Sequence, residues 1–286
     1  MNLGRVGIWW SGSWRADNSD APAELEELGY TALWMSNGFG AELSEQFGWL
    51  LAATRHIVVA SGIASVWHTP ASNVAQAIRS LDDARRDRFL LGLGTSHEAL
   101  VESGGQRYER PYSRVVEYLD ALDAGADGVP ASRRVLAALR PRMLRLAADR
   151  ALGAHPYFVP VEHTARARQI IGSTALLAPE LAVVLETDPL AAREKARRYT
   201  GLYLTLPNYT NNLRSIGYDD DDLAGAGSDR LVDAIVAWGD PEAIAARVRQ
   251  HHEAGADHVC VQVVADGAEG FPIDAYRRLA PALLAQ

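Results

Sequence analysis

Lysine is almost missing from this chain. Lys195 is the only one, in the run Arg193-Glu-Lys-Ala-Arg-Arg198, which reads as a solvated helix face. A Schiff-base nucleophile needs a lysine in an apolar pocket, so lysine aldolase and pyridoxal phosphate chemistry are disfavoured. Cysteine is equally scarce: Cys260 stands alone in an apolar run and reads as core. No disulfide can form within the chain, which suits a reducing compartment. Positive charge is outweighed, 28 Lys and Arg against 36 Asp and Glu, for a net charge of −8. With no basic stripe to neutralise phosphates, no nucleic-acid partner is expected. No apolar run approaches the length of a membrane span, and the N-terminus lacks a signal-peptide pattern. A soluble, cytoplasmic protein without a membrane partner is the expectation.

Several motifs are also absent. There is no His-x-His and no His-Glu-x-x-His, so no metal site is expected. There is no Gly-x-Ser-x-Gly elbow, no phosphate-binding Gly-x-x-x-x-Gly-Lys, and no carboxylate pair set for glycoside cleavage.

What is present is alternation. The 286 residues, 48% hydrophobic, suffice for one large domain. Short apolar runs suited to strands occur at Val6–Trp10, Thr31–Met35, Ile57–Ala64, Phe89–Leu91, Arg134–Leu139, His155–Val159, Glu180–Glu186 and His258–Val264. Helical patterns separate them, among them Ser44–Thr54, Asn73–Arg85, Ser228–Trp238 and Asp240–Ala254. Leu28-Gly29, Leu152-Gly153 and Ala254-Gly255 each read as a helix stopped by glycine before a strand. Eight strands alternating with helices predict an α/β fold, a (β/α)8 TIM barrel spanning residues 1–286 as one domain. Pro207–Gly227 reads as an insertion of turns and short helix between strands seven and eight. His97–Arg110 reads as a long loop. The apolar faces of 44–54 and 73–85 are either a homodimer surface or stripes facing the barrel.

In a barrel the site lies at the carboxyl ends of the strands. Arg88–His97 is the most informative of these ends. A buried strand runs into Gly92 and Gly94, where backbone or a flat ligand can approach, and then into Thr95, Ser96 and His97. The other ends offer Trp9-Trp10, Ser36-Asn37, Ser65-Val66-Trp67-His68, Leu139-Arg140-Pro141, Tyr157-Phe158-Val159, Glu186 and Val264-Ala265-Asp266. Aromatics and small polar groups dominate and carboxylates are few. Such a mouth suits a bound cofactor that brings its own reactivity.

These residues resemble a known family. Gly92-Leu-Gly94-Thr95, Ser65-Val66 and Leu136-Ala-Ala-Leu-Arg-Pro141 are similar to the luciferase-like flavin and deazaflavin oxidoreductases. Asn208-Tyr-Thr-Asn-Asn-Leu, Asp229-Arg-Leu-Val-Asp and Gly255-Ala-Asp-His-Val resemble a subgroup that uses coenzyme F420. The resemblance implies a hydride-transferring enzyme with F420, or alternatively FMN, acting on a small organic substrate. It implies a non-prolyl cis peptide at Ser65-Val66 behind the ring. It places Thr95 and Ser96 at the ring or its ribityl chain, and Ser36-Asn37 where several members carry an acid or histidine. Leu139, Arg140, Pro141 and Arg142 fall at the cofactor phosphate, with Tyr157, Phe158 and Val159 on the neighbouring loop. A helix start with free N–H groups and an arginine fork is physically suited to a phosphate. His97, Glu98 and His68 are the candidate proton donors, histidine because it titrates near neutral pH. Two alternatives remain open: an FMN-dependent monooxygenase of the same fold, and a flavin-binding protein without turnover.

Overall fold

The computed structural model describes residues 1–12, 18–36, 41–124, 128–264 and 270–285. Asn37, and Ala265-Asp266 at the last strand end, lie outside them. The described strands are β1 (Val6–Trp10), β2 (Ala32–Met35), β3 (Val58–Ser61), β4 (Ala64–Ser65), β5 (Phe89–Gly94), β6 (Arg134–Leu136), β7 (Gly153–Ala154), β8 (Leu176–Leu177), β9 (Glu180–Val184), β10 (Val236–Trp238) and β11 (Val259–Val263). All pair in parallel, in the order β10-β9-β11-β1-β2-β3-β5-β6-β7-β8, with β4 added to β5.

The path closes because β8 runs on into β9. The Ala178 and Glu180 amides donate to the carbonyls of Ala154 and Pro156, and the Leu177 and Pro179 carbonyls accept from Asp257 and Cys260, all at 2.9 Å. One continuous stretch thus bonds β7 on one side and β11 on the other, making the expected barrel.

Side chains alternate along the strands. Trp9, Trp34, Ala60, Leu90, Val135 and Cys260 form one buried cluster, which fills the barrel interior. Their neighbours Ile8, Leu33, Val59, Leu91 and Leu136 pack with helix residues such as Leu25, Leu50 and Leu119. Both strand faces are therefore apolar, as a parallel sheet under helices requires.

Several expectations are corrected. The run 57–64 is broken: β3 stops at Ser61, the Gly62–Ile63 peptide is cis, and β4 resumes at Ala64. Ser65-Val66 does not hold that bond. Ser65 pairs with Gly94 in β4, and the Val66 amide donates to the Gly94 carbonyl at 3.0 Å. The irregular link falls instead where no side chain stands in the way: a Cβ on Gly62 would sit 2.6 Å from Trp9 Nε1.

β6 ends at Leu136, and the strand expected over 155–159 is Gly153–Ala154. Gly153 is a pairing residue rather than a helix stop. A Cβ there would lie 2.0 Å from the Leu176 carbonyl oxygen. The helix expected over 73–85 is two, Ala71–Arg79 and Asp83–Arg86, because the Asp82 carboxylate caps a new start at the Arg85 amide. The 228–238 helix ends at Ile235, and Val236–Trp238 join the sheet beside β9.

The loop 97–110 contains a helix, Glu98–Ser103. The segment 207–227 holds the short helices Pro207–Arg214 and Asp220–Leu223. Phe47, Leu50, Leu51, Val74 and Ile78 are buried in the chain's own core, so these stripes face the barrel rather than a partner. Among the described residues no helix is long and apolar enough to cross a membrane.

Candidate active site at the barrel mouth

The carboxyl ends of β1, β3, β5 and β7 come together around Gly62. Trp9 is 4% exposed, and its Nε1–H has no hydrogen-bond partner. His155, just past β7, stacks on Trp34 with centroids 4.3 Å apart. Its Nδ1 lies 2.7 Å from the Ala178 carbonyl, which fixes the proton there and leaves Nε2 a bare, unpartnered lone pair. Burial pushes the His155 pKa down to about 4, outweighing that bond, so the ring is neutral. The position a Cβ on Gly62 would take is 2.6 Å from Trp9 Nε1 and 3.3 Å from His155 Nε2. A donor and an acceptor therefore lie unused behind the 62–63 bulge. Buried polar atoms are nearly always paired, so two orphans here mark a floor the fold alone does not satisfy.

The two glycines of β5 serve that bulge. A Cβ on Gly92 would sit 1.9 Å from the Ser61 carbonyl oxygen, and one on Gly94 2.9 Å from the Ile63 side chain. Ser61 Oγ bonds both the Gly92 carbonyl and amide, at 2.9 and 2.8 Å. The close approach read from the sequence is thus made by the neighbouring strand's backbone and by Ile63.

Beyond β5 the loop is pinned to its surroundings. Trp67 Nε1 donates to the Thr95 carbonyl at 2.9 Å, and the Tyr108 hydroxyl to Thr95 Oγ1 at 3.2 Å. Ser96 has φ 55° and Phe158, on the loop after β7, has φ 58°. Non-glycine residues in this region cost on the order of 1 kcal/mol and cluster at functional sites. His97 Nδ1 is 3.1 Å from Asn208 Oδ1, and the ring packs against Tyr209. Burial lowers its pKa, and the Asn208 contact opposes the shift. Glu98 and His68 are exposed on the rim. A cavity of about 320 Å³ adjoins Trp67, lined also by Gln106, Arg107, Arg110 and Arg114.

A tyrosine cluster forms the next wall. Tyr157 is half-buried against Trp9, with centroids 4.8 Å apart. Its hydroxyl donates to Gln262 Oε1 and accepts from the Tyr203 hydroxyl, both at 2.8 Å. Behind it Glu180 is 1% exposed, accepting from the Phe158 amide at 3.2 Å and facing the Tyr199 hydroxyl at 3.3 and 3.4 Å. Burial pushes the Glu180 pKa up to about 8, against the pull of those two donors.

Arg140 opens the helix Pro141–Arg150 at a start with no side-chain cap. Arg140 is exposed, and the Arg142 guanidinium lies 4.2 Å from the Tyr112 ring centroid. His163 Nε2 holds the Leu139 carbonyl at 2.8 Å and so fixes this loop. Ser36 donates from Oγ to the Ser11 carbonyl at 3.2 Å. Val66, Phe158 and Val159 are fully buried, behind the surface of the mouth.

Thr95, Ser96 and Tyr157 are therefore brought to one mouth, while Glu98 and His68 stay at its edge. Gly62, His155, His163 and Glu180 went unread in the sequence. Only Glu180 carried a local signal, a lone acid opening an otherwise apolar strand.

The sequence profile of the luciferase-like monooxygenase family matches residues 16–258. The chain belongs to that family. A Mycobacterium tuberculosis protein named as a coenzyme F420-dependent oxidoreductase is 24% identical over 123 residues, 43% of this chain. That match spans about a third, 35%, of the relative's length. Among solved structures, an F420-dependent secondary alcohol dehydrogenase in complex with an F420–acetone adduct has TM-score 0.73 and 16% identity, covering 99% of both chains. The coenzyme F420-dependent tetrahydromethanopterin reductase of Methanopyrus kandleri has TM-score 0.74, 14% identity and the same coverage. The oxygenating constituent of 3,6-diketocamphane monooxygenase from Pseudomonas putida, in complex with FMN, has TM-score 0.67 and 13% identity over 98% of this chain and 96% of that one.

Proposed function

We propose that this luciferase-like protein is an oxidoreductase that moves a hydride between coenzyme F420 and a small organic substrate. The observation that carries the reading is the neutral, aromatic mouth around Gly62, with two unpartnered ring nitrogens behind the bulge. A flat, weakly charged ring fits such a floor, and F420 supplies the two-electron chemistry that these side chains cannot. The chain binds, orients and excludes water. The 62–63 bulge and Trp9 would brace the ring, with Thr95, Ser96 and Ser36 around its edge. Val66, Phe158 and Val159 would back that edge from behind. Leu139, Arg140, Pro141 and Arg142 would hold the phosphate, offering first-turn amides and the Arg140 fork. On the solvent side His97, Glu98 and His68 would exchange protons with water, His97 held in place by Asn208.

A second reading, an FMN-dependent monooxygenase, rests on the fold shared with the FMN-bound oxygenase. The test is titration of the purified protein with oxidised F420, followed by cofactor fluorescence, with FMN in parallel. Saturable F420 binding is expected. FMN binding with no response to F420 would move the protein to the second reading, and no response to either would overturn both.

A further inference from the structure

Resting on the F420 reading for the mouth, we propose that the cavity beside Trp67 binds the carboxylate of the substrate between the Arg110 and Arg114 guanidiniums, and that the substrate is therefore a small organic acid.

The floor of the mouth gives such a molecule no charged handle. Trp9, His155, Thr95 and Tyr157 are aromatic or uncharged there. The cavity of about 320 Å³ beside it is built differently. Arg107, Arg110 and Arg114 line it together with Glu109 and Glu117, so it is locally positive in a chain of net charge −8.

Two of these arginines are left over by the fold. Arg107 pairs with Glu109 at 2.6 Å. Arg110 is exposed, and among the described residues its guanidinium has no hydrogen bond or ion pair. The Arg114 guanidinium lies 5.6 Å from the Trp67 ring centroid. Its Nη1 is 4.0 Å from the Glu117 carboxylate, too far for a hydrogen bond, and its Nε is buried without a partner. A buried donor of a cation is costly to leave unpaired, so an acceptor is missing here. Arg110 is also held against its local preference. Its φ is 48°, in the left-handed region, just before the helix Pro111–Ala124. An arginine kept where glycine fits better points to a task for its side chain.

Two aromatic side chains join the cavity to the mouth. Trp67 lines the cavity and donates from Nε1 to the Thr95 carbonyl at 2.9 Å. Tyr108, with its ring centroid 5.5 Å from that of Trp67, donates to Thr95 Oγ1 at 3.2 Å. A molecule anchored on Arg110 and Arg114 can therefore extend past Trp67 toward Thr95.

The charge balance selects the anion. Three arginines against two acids leave one positive charge, which a carboxylate matches, and its two oxygens fit a guanidinium fork. A phosphate would bring a second negative charge beside Glu109 and Glu117.

The experiment uses the full chain. Calorimetry without cofactor measures propionate, benzoate, their primary amides and inorganic phosphate. The proteins are wild type, Arg110→Gln, Arg110→Gly and Glu117→Gln. Fluorescence titration measures F420 affinity separately. Turnover of F420 is then followed by absorbance with a panel of organic acids and their primary amides. Both acids should bind roughly tenfold more tightly than their amides, and both Arg110 variants should lose about that factor. Arg110→Gly should melt no lower than wild type, because glycine accepts that φ, so its loss of binding is not unfolding. Glu117→Gln removes an opposing charge and should tighten acid binding about twofold. With F420 bound, R110Q should raise KM for acids roughly tenfold at unchanged kcat, since the handle binds ground and transition states alike.

Equal binding of acid and amide, tighter binding of phosphate than of either acid, or acid binding unchanged in both Arg110 variants overturns the site and leaves the cofactor reading standing. Weakened F420 binding in R110Q, with no acid bound by wild type, gives the cavity to the cofactor and overturns the proposal. Turnover of amides as readily as acids, or of no acid in the panel, overturns the substrate class. Acid binding that depends on Arg110 in a protein that does not bind F420 supports the site and overturns the cofactor reading.

Discussion

Glu26, beneath β3, and Glu180, buried where β9 opens, are held in opposite charge states. Glu26, half-buried beneath β3, accepts from the backbone amides of Arg55, His56 and Ile57 at 2.5 to 3.1 Å. Burial pulls its pKa up, but those three amides outweigh it and the net shift is downward. Glu180 has one amide, one phenol and deeper burial, and its pKa moves up to about 8. The two ends of the barrel strands also differ. At the amino ends of the strands, Arg134 is 1% exposed and bonds the carbonyls of Val129 and Arg150 and the Asp123 carboxylate at 2.6 to 3.1 Å. Arg88 bonds the Leu51 carbonyl, the Thr54 hydroxyl and the Ile57 carbonyl, at the end of the helix that leads into β3. At the carboxyl ends, Trp9, Trp10 and His155 each keep a ring nitrogen unpaired. Unpaired nitrogens also occur nearer the amino ends, at Arg86, His251 and His252; what sets the mouth apart is that the Trp9 and His155 nitrogens gather around a single glycine, Gly62.

The sharpest break in that comparison is Arg134→Ala. It strands two carbonyls and opens a cavity, and should cost about 3–5 kcal/mol in urea unfolding. F420 affinity of the folded protein should not change.

Next is the pH dependence of stability. Glu180 binds its proton more tightly in the fold than in the unfolded chain, where its pKa is near 4.5. Its contribution is therefore full below pH 4.5 and is lost as pH rises through about 8. That loss should be about 4 kcal/mol in wild type and absent in Glu180→Gln, read from unfolding curves across that window. Glu26 has the opposite sign: its contribution is present above its unfolded pKa and lost as pH falls through the depressed folded value. Glu26→Gln should cost about 1–2 kcal/mol at neutral pH and flatten the acid limb of the stability profile.

The smallest expected effect is at the rim. Glu98→Gln and His68→Asn should each change stability by less than about 0.5 kcal/mol.

The barrel was legible because parallel strands buried on both faces read as apolar runs, and Gly29 and Gly255 end helices as read, both with positive φ. Three things were not. Strand lengths at β6 and β7 were overread because apolar residues continue past the last ladder bond, as at Ala138 and Phe158. The cis link was displaced by three residues because Ser65 and Val66 lie in the same apolar stretch, and only the ladder to Gly94 tells them from Gly62. Glu180 and His155 depend on contacts between residues more than twenty positions apart, such as His155 with Ala178 and Glu180 with Phe158, which no local pattern encodes.

A crystal structure of the protein soaked with oxidised F420 tests the central claim most directly. The account predicts the tricyclic ring seated on the Gly62–Ile63 bulge, edged by Trp9 and Tyr157, with its phosphate at the Arg140 helix start. A ring bound elsewhere, or a saturated crystal whose bulge stays bare, would contradict it.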